Sequence, residues 1–208
     1  MKLSVKNGKA GKIHIYIDDE YRMTCDSNFW FSEKWHNLKE IDNEGLAQLE
    51  GCVNSRRAFL KGSRLLDRRQ HSKKELVTKL LKDFPEEAAQ YAADKLEQLR
   101  LIDDSRFAEA YAAELYERKK YAPKRILLEL KAKGIDSETA KNAVDSLDKE
   151  EYNRIILLLN TKYKSKLSDE KNINRTINAL LRMGYSYSDI RKALGQVQCE
   201  SADGESYE

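Results

Sequence analysis

The sequence predicts a mainly α-helical protein. We expect a tandem array of three three-helix repeats forming an elongated, curved molecule, preceded by a small N-terminal module that contains a β-hairpin. Three observations carry this expectation. Only two prolines, Pro85 and Pro123, interrupt 208 residues, and long proline-free runs favour helices. Charged residues make up 35% of the chain against 40% hydrophobic, a balance that suits slender helical modules with much surface per core. Apolar and small residues also recur at an offset of 50: Leu80, Leu130 and Leu180; Val77, Leu127 and Ile177; Gly134 and Gly184; Ala143-Val144 and Ala193-Leu194. Recurrence at a fixed period is the signature of a repeat protein, in which stacked copies bury faces that one copy cannot hide alone.

The N-terminal module spans residues 1–51. Lys12 to Ile17 alternates in polarity and is rich in β-branched residues, which predicts a strand. Asp18-Asp19-Glu20 is a turn, Tyr21 to Cys25 returns, and Leu3 to Lys6 before Asn7-Gly8 is a candidate third strand. Two short helices are expected near Ser32–Asn37 and Glu44–Leu49.

The first repeat, 52–104, starts with a helix expected from Asn54 to Arg69, and His71 and Ser72 break it. Ser72-Lys73-Lys74-Glu75 has the form of a capping box, with the hydroxyl accepting from an early backbone N–H. The second helix carries Leu76, Leu80 and Leu81 and stops before Phe84-Pro85, because the residue before a proline avoids the helical region. Ala89, Ala92, Ala93, Leu96 and Leu99 mark the third helix.

The second repeat, 105–150, opens at Asp103-Asp104-Ser105, where an aspartate suits the positive end of a helix. Phe107, Tyr111 and Leu115 form its first stripe. Pro123 takes the first position of the next helix, and Gly134 closes that helix from the left-handed conformation. The third repeat, 151–198, carries Tyr152, Ile155, Ile156 and Leu159, then a helix capped by Ser168 and a last helix capped by Ser186. Residues 199–208 are acidic and without apolar period, and we expect a disordered tail.

The formal net charge is only +3, but its distribution is uneven: +8 over 52–82, −5 over 83–104, +4 over 105–134, −4 over 135–151 and +6 over 152–192. The three cysteines, Cys25, Cys52 and Cys199, form no C-x-x-C pair, which argues against a disulfide scaffold or a zinc site and for reduced thiols. The first residues lack an apolar signal core, and no stretch is long and apolar enough to span a membrane. The expectation is a cytoplasmic monomer.

Ser72-Lys73-Lys74-Glu75-Leu76, then Leu101-Ile102-Asp103-Asp104-Ser105-Arg106-Phe107-Ala108-Glu109-Ala110-Tyr111, and Arg125-Ile126-Leu127-Leu128-Glu129-Leu130-Lys131-Ala132-Lys133-Gly134-Ile135 together resemble the RecX family of regulatory proteins. The hairpin Ile15-Tyr16-Ile17-Asp18-Asp19-Glu20-Tyr21 is similar to one that longer members carry. The resemblance covers roughly residues 12–195. Ala122 and Glu20 stand where the family often has glycine. What the resemblance implies is a protein that binds the RecA recombinase and the RecA–DNA filament, limits filament growth, and damps ATPase, strand exchange and coprotease activity.

Basic residues are the candidate contact surface. Arg56, Arg57, Lys61, Arg64, Arg68, Arg69, Lys73 and Lys74 crowd the start of the first repeat; Lys119, Lys120, Lys124 and Arg125 sit at the corresponding place in the second; Lys162, Lys164, Lys166, Lys171 and Arg175 recur in the third. Cations repeated in the same part of each unit attract phosphates or an acidic groove, with strong salt dependence; an ordinary solvated helix face is the competing reading. A stand-alone DNA-binding protein using basic helices is the alternative function.

No other constellation amounts to a site. Asp103-Asp104 reads as a helix cap and Asp18-Asp19-Glu20 as a turn before either is a metal pair. His14, His36 and His71 have no partner at ligand spacing. Gly8-Lys9-Ala10-Gly11-Lys12 fails as a phosphate loop, since Ile13 follows the Gly-Lys pair where Ser or Thr is required. Tyr16, Tyr21, Phe29, Trp30, Phe31 and Trp35 are read as core, with an exposed subset free for a partner. With no nucleophile–base motif, no cofactor and no catalytic residue are expected.

Overall fold

A three-stranded antiparallel sheet and ten α-helices make up the described residues of the computed structural model, which are 1–147, 150–167 and 169–204. They fall into two compact units, Met1–Asp103 and Asp104 onward.

In the first unit, β1 (Leu3–Asn7), β2 (Lys12–Ile17) and β3 (Glu20–Asp26) lie in the order β1-β2-β3. The period-two alternation of β2 buries Ile13, Ile15 and Ile17 and leaves His14 and Tyr16 on the other face. Asp18 and Asp19 turn the hairpin with φ of 49° and 67°. Two successive left-handed residues match the twist of the flanking strands, and aspartate tolerates that conformation. The register then shifts between Ile15 and Tyr16, so β3 carries one extra residue, a bulge at Tyr21 and Arg22.

Helix α1 (Ser27–Ser32) is capped by Asp26, whose carboxylate accepts from the Phe29 N–H, and a 3-10 turn follows at Lys34–Asn37. The short helix expected near Ser32–Asn37 corresponds to this 3-10 turn, and the Asp26 cap adds α1 ahead of it. A second correction is larger. Instead of separate helices at Glu44–Leu49 and Asn54–Arg69, the structure has one 24-residue helix, α2 (Asn43–Leu66), capped by Asp42. Nothing between the two expected helices breaks the backbone, because Gly51 costs a helix only about 1 kcal/mol. Both flanks are held by burial: Leu49 and Val53 pack beneath the sheet with Ile13, Ile15 and Trp30, while Ala58 packs with Leu76, Leu80 and Leu96 of the first repeat. The 51/52 boundary thus lies inside a helix that serves two cores.

Helix α3 (Lys73–Leu80) begins at Ser72, whose hydroxyl accepts from the Glu75 N–H at 3.2 Å. Pro85 precedes α4 (Glu86–Gln98), which lies close against α2. Gly62 permits that approach, since a Cβ there would sit 2.7 Å from Leu96 Cδ1.

The second unit contains α5 (Asp104–Glu117), α6 (Pro123–Ala132), α7 (Ser137–Asp145), α8 (Glu151–Asn160), α9 (Glu170–Arg182) and α10 (Tyr187–Gly204). Pro123 opens α6 as expected, and Ser186 caps α10 by accepting from the Asp189 N–H at 3.1 Å. Asp169 caps α9 through the Asn172 N–H; Ser168, assigned that role from sequence, lies outside the described residues. Helix α10 continues to Gly204, beyond Cys199 where a tail was expected to begin, and 205–208 lie outside the described residues.

Burial follows the 50-residue period. Leu80, Leu130 and Leu180 are each fully buried, as are or nearly are Leu76, Ile126 and Thr176 at the preceding inward position. Ala92-Ala93, Ala143-Val144 and Ala193-Leu194 are buried on the third helices. Gly134 and Gly184 both end second helices at positive φ, 86° and 96°. Within this unit the second and third repeats are joined at one seam. The Ala122 N–H donates to the Met183 carbonyl at 2.9 Å, the Tyr185 hydroxyl to the Lys120 carbonyl at 2.9 Å, and Arg154 Nη2 to the Tyr116 carbonyl at 2.5 Å, with the Arg154 guanidinium 3.5 Å from the Tyr116 ring centroid.

Candidate partner-binding surface

The basic residues named from sequence separate into those with a carboxylate partner within the fold and those with none among the described residues. Helix α2 makes the distinction visible. Arg57, Lys61 and Arg64 follow one another at spacings of four and three, and Arg68 comes four residues later in the turn after the helix. That spacing places Arg57, Lys61 and Arg64 on one side of α2, away from buried Ala58 and Gly62. Arg57 and Lys61 approach the Phe84 ring at 5.9 and 6.0 Å, and Lys61 also pairs with Asp83. Arg64 is exposed and bonds its own helix, Nε to the Leu60 carbonyl at 3.2 Å. Among the described residues neither Arg64 nor Arg68 has a carboxylate partner.

Four of the named cations in the first unit are occupied. Arg56 does not belong to the stripe: it grips Asp26 through Nε and Nη2, at 2.9 and 3.1 Å, and the Arg56 guanidinium holds the Asp26 carboxyl below the ordinary aspartate value. Arg69 makes a two-point bond to Glu75 at 2.7 and 3.2 Å. Lys73 reaches Asp94 at 2.8 Å and Glu97 at 2.6 Å, fastening α3 to α4, and these acids raise its pKa. Lys61, through Asp83, is the fourth. Lys74, by contrast, is exposed with no ion pair among the described residues.

A buried histidine adjoins this region. His71 Nδ1 lies 2.9 Å from the Arg69 carbonyl and Nε2 lies 2.8 Å from Lys79 Nζ. The neutral ring donates from Nδ1 and accepts from the lysine at Nε2, and burial holds its pKa below the ordinary 6.5.

In the second unit, Lys119 and Lys124 are exposed and without ion pairs among the described residues, and Lys120 lies 3.5 Å from Glu117. Arg125 pairs with Glu129 at 2.5 Å and lies over the Tyr121 ring at 5.7 Å. Helix α6 has no acidic residue in its first turn, so Lys124 stands at a helix end that is already positive, an arrangement that favours an anion there. Lys74 and Lys124 occupy the same position of successive repeats, the second residue of the second helix. In the third repeat Lys171 is exposed and unpaired among the described residues, and Arg175 is exposed and bonds Asn172 at 3.3 Å. Lys162 and Lys166 flank the Tyr163 ring at 5.4 and 5.8 Å, and Lys164 is exposed.

The aromatic residues also sort cleanly. Trp30 and Trp35 are 3% exposed, whereas Phe31 and Tyr21 are 60% and 59% exposed. Helix spacing could not separate them, because the short elements of this module offer too few turns to define a face. A groove of about 980 Å³ lies within the first unit, with Phe29, Trp35, Cys52, Phe59 and Tyr91 in its lining. All three cysteines are free; burial pushes the Cys25 thiol up to about 11, while Cys199 is exposed. Among the described residues no group of three His, Cys, Asp or Glu side chains converges as a metal site requires, and no helix is long and apolar enough to cross a membrane.

Comparison with known proteins gives concordant matches. Residues 58–96 match the model of the RecX first three-helix domain, and residues 103–144 that of the RecX second three-helix domain. A regulatory protein RecX from Caldanaerobacter subterraneus subsp. tengcongensis is 27% identical over 91% of this chain and 95% of its own length. One from Bacillus velezensis is 28% identical over 97% of this chain and 78% of its own. Among solved structures, a regulatory protein RecX is similar in fold, with a TM-score of 0.65 at 22% identity, covering 92% of this chain and 98% of that one. RecX from Lactobacillus salivarius has a TM-score of 0.55 at 26% identity over 70% of this chain and 97% of that one.

Proposed function

This chain belongs to the RecX family, and from that premise we propose that it is a regulator of the RecA recombinase that binds the RecA–DNA filament through its unpaired basic side chains. The observation that carries the reading is the division among those side chains. The family supplies the partner; of the basic residues named from sequence, Arg57, Arg64, Arg68 and Lys74 in the first unit, and Lys119, Lys124, Lys162, Lys164, Lys166, Lys171 and Arg175 in the second, have no carboxylate partner among the described residues.

Many weak contacts supply avidity when a repeat array engages a repeating partner. A regulator that bridges neighbouring recombinase subunits stabilises an arrangement other than extension, so occupancy limits growth of the filament and lowers its ATPase and coprotease activity. The cations favour an acidic groove or the phosphate backbone, and binding weakens as salt rises. Direct DNA binding by basic helices is the weaker alternative, since the exposed cations are distributed over α2, α3, α6, α9 and the turns that follow α2, α5 and α8 rather than gathered on one recognition helix.

The test is the triple variant Arg64→Glu, Arg68→Glu, Lys74→Glu, which leaves every ion pair described above intact. It is expected to bind the filament at least about tenfold more weakly, on the scale of a few lost charged contacts, with the thermal midpoint of the parent. Parental inhibition by the folded variant removes the first-repeat cations from the contact surface.

A further inference from the structure

We propose that the open face of the β1–β3 sheet is a platform for single-stranded nucleic acid. The proposal stands apart from the RecA reading, since it concerns binding with no recombinase present.

The register brings the outward side chains of all three strands together. Lys6 pairs with His14, His14 with Thr24, and Tyr16 with Tyr21. The isoleucines of β2 face the core, so the opposite face carries rings where a solvated sheet normally carries polar side chains. Tyr21 lies edge-on to Tyr16 at 5.9 Å and to His14 at 6.2 Å. The Thr24 hydroxyl sits 2.7 Å from His14 Nδ1 and 3.0 Å from the Tyr21 hydroxyl, which holds the cluster in place. The β3 bulge sets Tyr21 opposite Tyr16, and Tyr21 remains 59% exposed. Rings fixed in position yet open to water are what an unstacked base requires, because each base offers a π-face whatever its sequence.

The charge around the rings fits the same ligand. Lys6 Nζ lies 4.6 Å from the Tyr16 ring centroid, Lys9 lies in the turn between β1 and β2, and Lys12 opens β2, both of the latter exposed. Gly8 holds that turn against the platform, since a Cβ there would come within 2.4 Å of His14 Nε2. None of these lysines has an ion pair among the described residues. Of the carboxylates bordering the face, Asp19 pairs with Lys2 and Asp26 with Arg56. Cations beside stacking rings select a strand whose bases are free. Duplex DNA keeps its bases stacked on each other and gains only the charge contribution.

The test is fluorescence anisotropy of the full chain with labelled oligo(dT) and with a duplex of equal length, at low and moderate salt and without RecA. The parent is expected to prefer oligo(dT). Tyr21→Ala is expected to weaken that binding by about fivefold or more, the loss of one stacked base, with duplex binding unchanged. Tyr21→Phe, which keeps the ring and gives up only the Thr24 hydrogen bond, is expected to bind within about twofold of the parent, well above Tyr21→Ala. Joint replacement of Lys6, Lys9 and Lys12 by Gln is expected to flatten the salt dependence. Equal affinity of the parent for the two DNAs, or oligo(dT) binding by folded Tyr21→Ala at the parental level, overturns the proposal. RecA inhibition by Tyr21→Ala is read separately, so loss of the platform and loss of the filament contact are distinguishable.

Discussion

Arg56 on α2 and Asp26 at the end of β3 meet in a two-point ion pair, 2.9 and 3.1 Å, that ties the sheet to the longest helix of the chain. The same aspartate caps α1. One carboxylate therefore serves three elements, and the arginine that looks from sequence like part of a basic surface is committed to the fold.

Arg56→Ala is accordingly expected to destabilise the protein by about 1–2 kcal/mol, the scale for a charged hydrogen bond that remains partly solvated, and to leave filament affinity unchanged. Urea unfolding and filament binding on the same preparation check both halves. The folded pKa of Asp26 lies below the ordinary 3.8, so its stabilising contribution is present above that value and is lost as pH falls through the folded pKa. Arg56→Ala should flatten this part of the acid-unfolding profile.

Thr176 occupies the inward position held by Leu76 and Ile126 in the other repeats. It is 2% exposed, and its hydroxyl has no hydrogen-bond partner among the described residues. Thr176→Val keeps the shape and removes a buried polar group that gains nothing from its surroundings. A gain of about 0.5–2 kcal/mol is expected, seen as a higher thermal midpoint. A loss would mean that the hydroxyl finds a partner in solution.

Gly51 lies within α2, and a Cβ there would meet nothing within 4 Å. Gly51→Ala is therefore expected to stabilise the chain by about 0.5–1 kcal/mol. Gly184 is the contrast: its φ is +96°, and a Cβ would lie 2.9 Å from the backbone nitrogen of Arg125. Gly184→Ala should cost more than Gly51→Ala gains. Chemical denaturation of the two variants checks the pair.

How far each feature was legible from sequence depended on whether its signal was local. The 50-residue period named Leu80, Leu130 and Leu180, and all three are fully buried. The caps at Ser72 and Ser186 and the helix start at Pro123 were readable because each needs only a few neighbouring residues. The unbroken α2 was not readable, because its continuity rests on burial in two separate cores, of Leu49 and Val53 in one and of Ala58 in the other. The division of the cations was hidden for the same reason. Lys73 and Lys74 are adjacent, and only the placement of Asp94 and Glu97, more than twenty residues away, commits the first and frees the second.

The central claim is tested most directly by the DNA-dependent ATPase of the cognate RecA on single-stranded DNA, titrated with this protein. The account predicts inhibition at substoichiometric ratios that weakens with salt and is lost in the Arg64→Glu, Arg68→Glu, Lys74→Glu variant. An ATPase unchanged by the parent protein, with its own DNA binding intact, would contradict the account and leave a DNA-binding protein of the same fold.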